Sequence, residues 1–263
     1  MQFNFFNKRN DYVESDGPVR YLDASGLQRP LDMPRSQMAI MGLFVVAAAV
    51  IGGFMLFNVL DEVQGKAARA QASVEQNLAR EVTYDLPVLP SVIQNGDNAS
   101  IKQGFVDAGA TIYDTTSEEE AAAGNMDIIK LPSDVSELDA GVLYSKGIPN
   151  LSAAEAALLL NGSWTLEVDR SEGVSMRVTY ADFTSGTVEA AVQAAIASEG
   201  FDPATTPEGG AGVDEVGNTF QTGTVDVGGT VYTWKVSAIA LSSVYNISGL
   251  PDTAVYVGIR LTA

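Results

Sequence analysis

The sequence predicts an α+β protein. It reads as a single N-terminal transmembrane helix with a short helical stalk, followed by an extracytoplasmic domain of antiparallel sheet with helices packed on one face. Three observations predict it. Met38 to Leu60 runs for 23 residues without a charge. Strand-length stretches in the C-terminal half alternate apolar and polar residues, which gives each strand a single apolar face. The helical patterns between those strands are short, and short helices need such a face to pack on.

Composition narrows the function. The chain has 263 residues, 15 Lys/Arg and 33 Asp/Glu, for a net charge of −18. Residues 1–37 hold five of each sign, so residues 61–263 carry the whole excess, with ten cations and 28 acids. A domain of that sign repels nucleic acid and anionic lipid heads. There is no cysteine and no histidine. That excludes disulfides, a lipid-modified cysteine, Cys/His zinc sites and every His- or Cys-based catalytic arrangement. An exposed domain of this size without disulfides points to a bacterial or archaeal surface.

Residues 1–37 read as an irregular cytoplasmic tail with a sticky start at Phe3, Phe5 and Phe6. The span ends are Met38 and Leu60. As a helix the stretch would be about 35 Å long, enough for a hydrocarbon core of roughly 30 Å. A signal peptide is excluded by the length of the apolar core and of the region before it. Cations tie across the span: Arg20, Arg29 and Arg35 before it, Lys66, Arg69 and Arg80 after it. Arg35 close to the membrane on one side, against Asp61 and Glu62 on the other, places the N-terminus inside. Ala48 with Gly52, and Ala49 with Gly53, are small-residue pairs through which two span helices can approach.

Residues 61–82 read as a helical stalk continuing the span, until Pro87 and Pro90 force an extended linker. Residues 83–150 read as a small α/β region. Ser100 with Gln103 is expected to open a helix that ends near Gly109. Ala110–Tyr113 and Asp127–Leu131 are short strand patterns, with a capping box at Ser117 and Glu120 between them. Val142–Tyr144 is a further apolar fragment. Residues 151–263 carry the clearest pattern: helix, two strands, helix, three strands. Ser152 and Glu155 box the first helix, which closes at Asn161-Gly162. Trp164–Val168 and Val174–Tyr180 form a hairpin. Thr187–Glu199 is the second helix, stopped by Gly200. Residues 202–217 are an acidic Gly/Pro loop. Val225–Val227 turns through Gly228-Gly229 into Tyr232–Ala238, and Val255–Leu261 is the last strand.

No motif for chemistry stands out. Acids are plentiful, but nothing marks a pair for glycan hydrolysis. Ser145-Lys146 are adjacent, without the spacing of a Ser-Lys dyad. Asn95-Gly96-Asp97-Asn98 and Asp214-Glu215 are the best oxygen clusters for a cation, and neither fits a calcium loop, so no metal ligands are assigned. Gly209-Gly210-Ala211-Gly212 lacks the lysine of a phosphate cradle. Trp164, Tyr180, Tyr232 and Trp234 alternate with aliphatics and read as core. Leu250–Ala254 is a poor match to a sortase recognition pentapeptide, because a strand follows it.

The layout of inner tail, one span, stalk and small α+β domain resembles inner-membrane platform subunits of pilus and secretion machines. That resemblance implies a subunit oligomerising through span and stalk. From the residues, the expectation is a non-enzymatic, single-pass envelope protein without cofactor, held by lipid through its anchor. It binds or scaffolds a protein or cell-wall partner outside the membrane, and no nucleic acid. A homo-oligomeric subunit of an envelope machine and a carboxylate-based glycan enzyme are the alternatives.

Overall fold

The computed structural model describes residues 64–94, 96–171 and 173–263. The tail and the expected span, Met38 to Leu60, lie outside the described residues. So do the four residues expected to bring span helices together, Ala48, Ala49, Gly52 and Gly53. Among the described residues no helix is long and apolar enough to cross a membrane. They form an α+β fold built on one eight-stranded antiparallel sheet.

In chain order the elements are α1 (residues 64–78), α2 (Leu89–Gln94), α3 (Asn98–Asp107), β1 (Ile112–Asp114), α4 (Glu118–Ala122), β2 (Met126–Lys130), α5 (Glu137–Lys146) and α6 (Ala153–Leu160). There follow β3 (Trp164–Asp169), β4 (Ser175–Asp182), α7 (Val188–Glu199), β5 (Ala211–Val213), β6 (Thr219–Val227), β7 (Thr230–Ala240), α8 (Leu241–Val244) and β8 (Val255–Thr262). The sheet order is β1-β2-β3-β4-β8-β7-β6-β5, so the last strand is central. β2 pairs with β3, Lys130 opposite Trp164, and the strands of 83–150 therefore extend the sheet of 151–263.

Alternation explains the main core. Trp164, Leu166 and Val168 of β3 share a face with Met176 and Val178 of β4, Ile259 and Leu261 of β8, and Trp234 and Val236 of β7. α2, α3 and α7 cover that face through Leu89, Ile101, Val192 and Ile196. A second cluster departs from the expected one-sided packing. Leu143 of α5, Leu159 of α6 and Leu241 of α8 pack together, and Ile129, Ala181 and Tyr256 from the opposite face of the sheet join them. The sequence of α6 is AAEAALLL, apolar almost all round, so it buries Ala156, Ala157, Leu159 and Leu160 and needs neighbours on several sides.

Local signals are sound where caps are strong. The boxes formed by Ser117 with Glu120 and by Ser152 with Glu155 close in both directions, and Thr187 and Gly200 bound α7. The hairpin pairs Trp164 with Tyr180, and Gly228-Gly229 joins β6 to β7 with both glycines at positive φ. Four details differ. Pro90, expected in an extended linker, lies in the first turn of α2, where a proline's missing amide leaves no helix bond unmade. α3 is capped by Asp97, whose carboxylate accepts the Ser100 amide and hydroxyl, each at 2.9 Å, so Ser100 is inside the helix and opens nothing. Val142–Tyr144 lies within α5, begun by Ser136. The acidic loop also contains a short edge strand, β5.

The expected stalk is free only in part. From 64 to 73 every residue of α1 except Gly65 is exposed, but Val74 is 2 % exposed and the chain then runs against α6. Asn77 donates to Ala154 O at 2.7 Å. Arg80 pairs with Asp134 at 2.7 Å and donates to Leu158 O at the C-terminal end of α6. There the guanidinium satisfies a carbonyl that the helix leaves open. Asn161 returns a bond to Asn77 O, buried Lys130 reaches Thr83 O and Gly162 O, and Trp164 Nε1 donates to Tyr84 O at 2.7 Å. Residues 77–84 are thus a strap fastened to both cores.

Candidate functional site

The face of the sheet opposite the main core is open beyond the second cluster, and the register sets out its side chains in rows. One row crosses all eight strands: Tyr113, Ile129, Thr165, Thr179, Gly258, Ser237, Phe220 and Gly212. Its centre is small and hydroxylated. The next row reads Asp127, Glu167, Arg177, Arg260, Lys235 and Thr222. Acids occupy β2 and β3, and three cations occupy β4, β8 and β7 side by side. A third row, Asp169, Ser175, Thr262, Thr233 and Thr224, is hydroxyl-rich again.

This placement runs against sheet energetics. Like charges directly opposite each other destabilise a sheet. Arg177 faces Arg260 and Arg260 faces Lys235, in a region with only ten cations among 28 acids. Other cations of the domain are committed elsewhere: Arg80 and Lys130 to the strap, Lys102 to Asp114, Lys146 to Glu155, and Arg170 to Gly96 O. The three of the row are exposed. Arg177 lies 3.7 Å from Glu167, Arg260 Nε donates to Ser175 Oγ at 3.2 Å, and Lys235 sits 4.8 Å above the Phe220 ring. Among the described residues no carboxylate is within ion-pair distance of Arg260 or Lys235. Asp169 and Asp214 are the nearby acids, each held below the ordinary carboxylate value first by its own hydrogen bond, to Ser171 and to Asn218.

A cavity of about 220 Å³ opens beside these rows where the second cluster meets the sheet. Thr165, Thr179 and Glu167 come from the rows; Tyr144, Tyr245 and Tyr256 come from α5, the residue after α8, and β8. The two threonine hydroxyls bond each other at 2.6 Å, and the Tyr245 and Tyr256 rings meet edge to face at 6.0 Å. Burial raises the Tyr144 hydroxyl to about 12 and the Tyr245 hydroxyl upward, so both stay neutral. The chemistry offered is aromatic faces, hydroxyls and a row of charge.

Among the residues singled out in sequence, Trp164 and Tyr180 line the cavity from its core side, and the others do not join them in a site. Trp164 and Trp234 are 1 % and 0 % exposed inside the core, the first edge to face with Phe105 and the second stacked on Phe201. Ser145 Oγ donates to Val142 O while Lys146 pairs with Glu155, so the two do not face each other. Asp97 caps α3, and the Asp214 carboxylate accepts from the Val216 and Asn218 amides and the Asn218 side chain. Among the described residues no three acids cluster to hold a metal. Among the described residues two carboxyls are pushed upward, both chiefly by burial: Asp127 on the open face, and Glu199 under the main core. They stand on opposite sides of the sheet.

Sequence reasoning misses the cationic row. Arg177, Lys235 and Arg260 do alternate with core residues along their strands, so their outward direction is legible. Their adjacency depends on β8 lying between β4 and β7. No family model, curated protein or solved structure matches this chain.

Proposed function

We propose that this chain is a single-pass, membrane-anchored envelope protein with a non-enzymatic binding or scaffolding role. Its N-terminus is inside, Met38–Leu60 crosses the membrane, and the acidic domain outside presents the open sheet face to its partner. The observation that carries the reading is the row Arg177, Arg260, Lys235. It sets three exposed cations side by side against sheet energetics, and rule-breaking of this kind concentrates at functional positions. Binding is favoured over carboxylate-pair catalysis by the placement of the two raised carboxyls, Asp127 and Glu199, on opposite faces of the sheet.

The strap supports the anchoring role. Arg80 and Lys130 tie the segment just after α1 to both cores. The exposed length of α1, with Ala67 and Ala70 on its surface, favours a second reading, in which copies associate through stalk and span. Within the span, Gly52 and Gly53 with Ala48 and Ala49 would be the points of close approach. Three measurements test the proposal. Protease added to sealed cells should digest the C-terminal domain. The intact protein should co-sediment with the envelope fraction, and the triple variant Arg177→Gln, Lys235→Gln, Arg260→Gln should lower the amount of envelope partner captured with it from solubilised membranes. A protected domain, or unchanged capture, overturns the reading. Crosslinking in native membranes decides whether copies associate.

A further inference from the structure

We infer that the open face holds an acidic glycan, a linear polymer carrying uronic-acid carboxylates. The inference rests on the binding role proposed above and names its ligand class. The strands under the face are central, and their amides and carbonyls are used in the β4–β8 and β8–β7 ladders. A ligand lying there is therefore held by side chains alone, not by strand addition.

The side chains offered are specific in kind. The cationic row spans three neighbouring strands, about 10 Å at the usual strand spacing. Two of its members are guanidinium forks that match a planar carboxylate in bidentate geometry. On both sides run hydroxyls, Ser237 in one row and Ser175, Thr262 and Thr233 in the other. Hydroxyls both donate and accept, as the hydroxyls of a sugar do. Glu167 joins the cationic row to the tyrosine cavity, where Tyr256 and Tyr245 supply aromatic surface for a ring. Guanidinium forks bind phosphate as well; the flanking hydroxyls and the tyrosine surface favour the glycan, since they match sugar hydroxyls and a sugar ring. Most of the −18 of the whole chain does not reach the contact, because exposed charges more than about 8 Å away are largely screened at physiological salt; the acids that remain close to the row are Glu167, Asp169 and Asp214.

The test uses the full-length protein in nanodiscs of neutral phosphatidylcholine and follows binding of labelled oligogalacturonate. Three further probes are run beside it: the same oligomer with its carboxyls reduced to alcohols, poly-L-glutamate, and polyphosphate. The wild type should bind oligogalacturonate in preference to the other three. Arg260→Gln should weaken that binding about tenfold, the loss of one charged hydrogen bond. The triple variant Arg177→Gln, Lys235→Gln, Arg260→Gln should abolish it. A control triple variant, Lys66→Gln, Arg69→Gln, Lys102→Gln, makes the same change in charge away from the face and should leave it intact. Folding of each variant is checked by its unfolding midpoint. Equal or tighter binding of poly-L-glutamate, lost in the triple variant, overturns the glycan in favour of an acidic polypeptide and leaves the binding role standing; polyphosphate behaving so overturns it in the same way. Equal loss in the control variant, or no binding of oligogalacturonate, also overturns the inference. If, in addition, the triple variant captures its envelope partner as the wild type does, the binding role falls with it.

Discussion

Glu199 ends α7 at 4 % exposure, and its carboxylate accepts the Leu89 amide at the start of α2, 2.8 Å away. It satisfies an amide that α2 leaves open, but it is buried there, which raises its carboxyl from 4.5 to about 7. The sign of its pH effect follows. The folded chain holds the proton to about pH 7, while the unfolded chain releases it near 4.5. The stability this group contributes is complete below the lower value and is lost as pH rises to the upper one. Glu199→Gln should flatten that slope, of order 3 kcal/mol at most, in denaturant titrations across the window. Gly223 is a second single-residue constraint. A Cβ there would fall into the Trp234 ring and the Thr205 hydroxyl. Gly223→Ala should therefore cost about 3 kcal/mol by overpacking, read from the shift in unfolding midpoint. Neither position is legible in sequence. Each is defined by a side chain or backbone group on another element, Leu89 for Glu199 and Trp234 for Gly223.

Among the elements, the strap and the cationic row make opposite predictions. Arg80→Ala removes the charged donor from the end of α6 and strands Leu158 O, so it should destabilise the domain by about 2–3 kcal/mol. Hydrogen exchange should show the last turn of α1 losing protection first. Arg260→Gln relieves two like-charge pairs and should stabilise by about 0.5 kcal/mol. That gain should shrink as salt is added, since screening weakens the same repulsion. A stabilising loss of a native side chain that also lowers binding marks a residue retained for binding rather than for folding. Local elements are readable to the extent that caps and alternation are local: the α6 and α7 boundaries and the β3–β4 hairpin need only a few neighbouring residues. The start of α3 is not, because two polar residues compete for the cap and only the backbone angles at Asp97 decide between them.

At the scale of the whole molecule the charge excess sets the response to solvent. With 28 acids against ten cations after residue 60, the domain repels itself, and its unfolding midpoint should rise as sodium chloride is brought from low to physiological strength. The main core and the second cluster share one sheet, so the strands of 83–150 belong with those that follow. By itself the sequence determined the antiparallel α+β class, the outward direction of Arg177, Lys235 and Arg260, and the caps of its best helices, because these follow from the period of side chains along one strand or one helix. Only the tertiary structure decided that β8 fills the gap between β4 and β7, that the three cations therefore stand together, and that residues 77–84 bind both cores. Those contacts join residues far apart in the chain, and no periodicity within a segment encodes which distant segment will lie beside it.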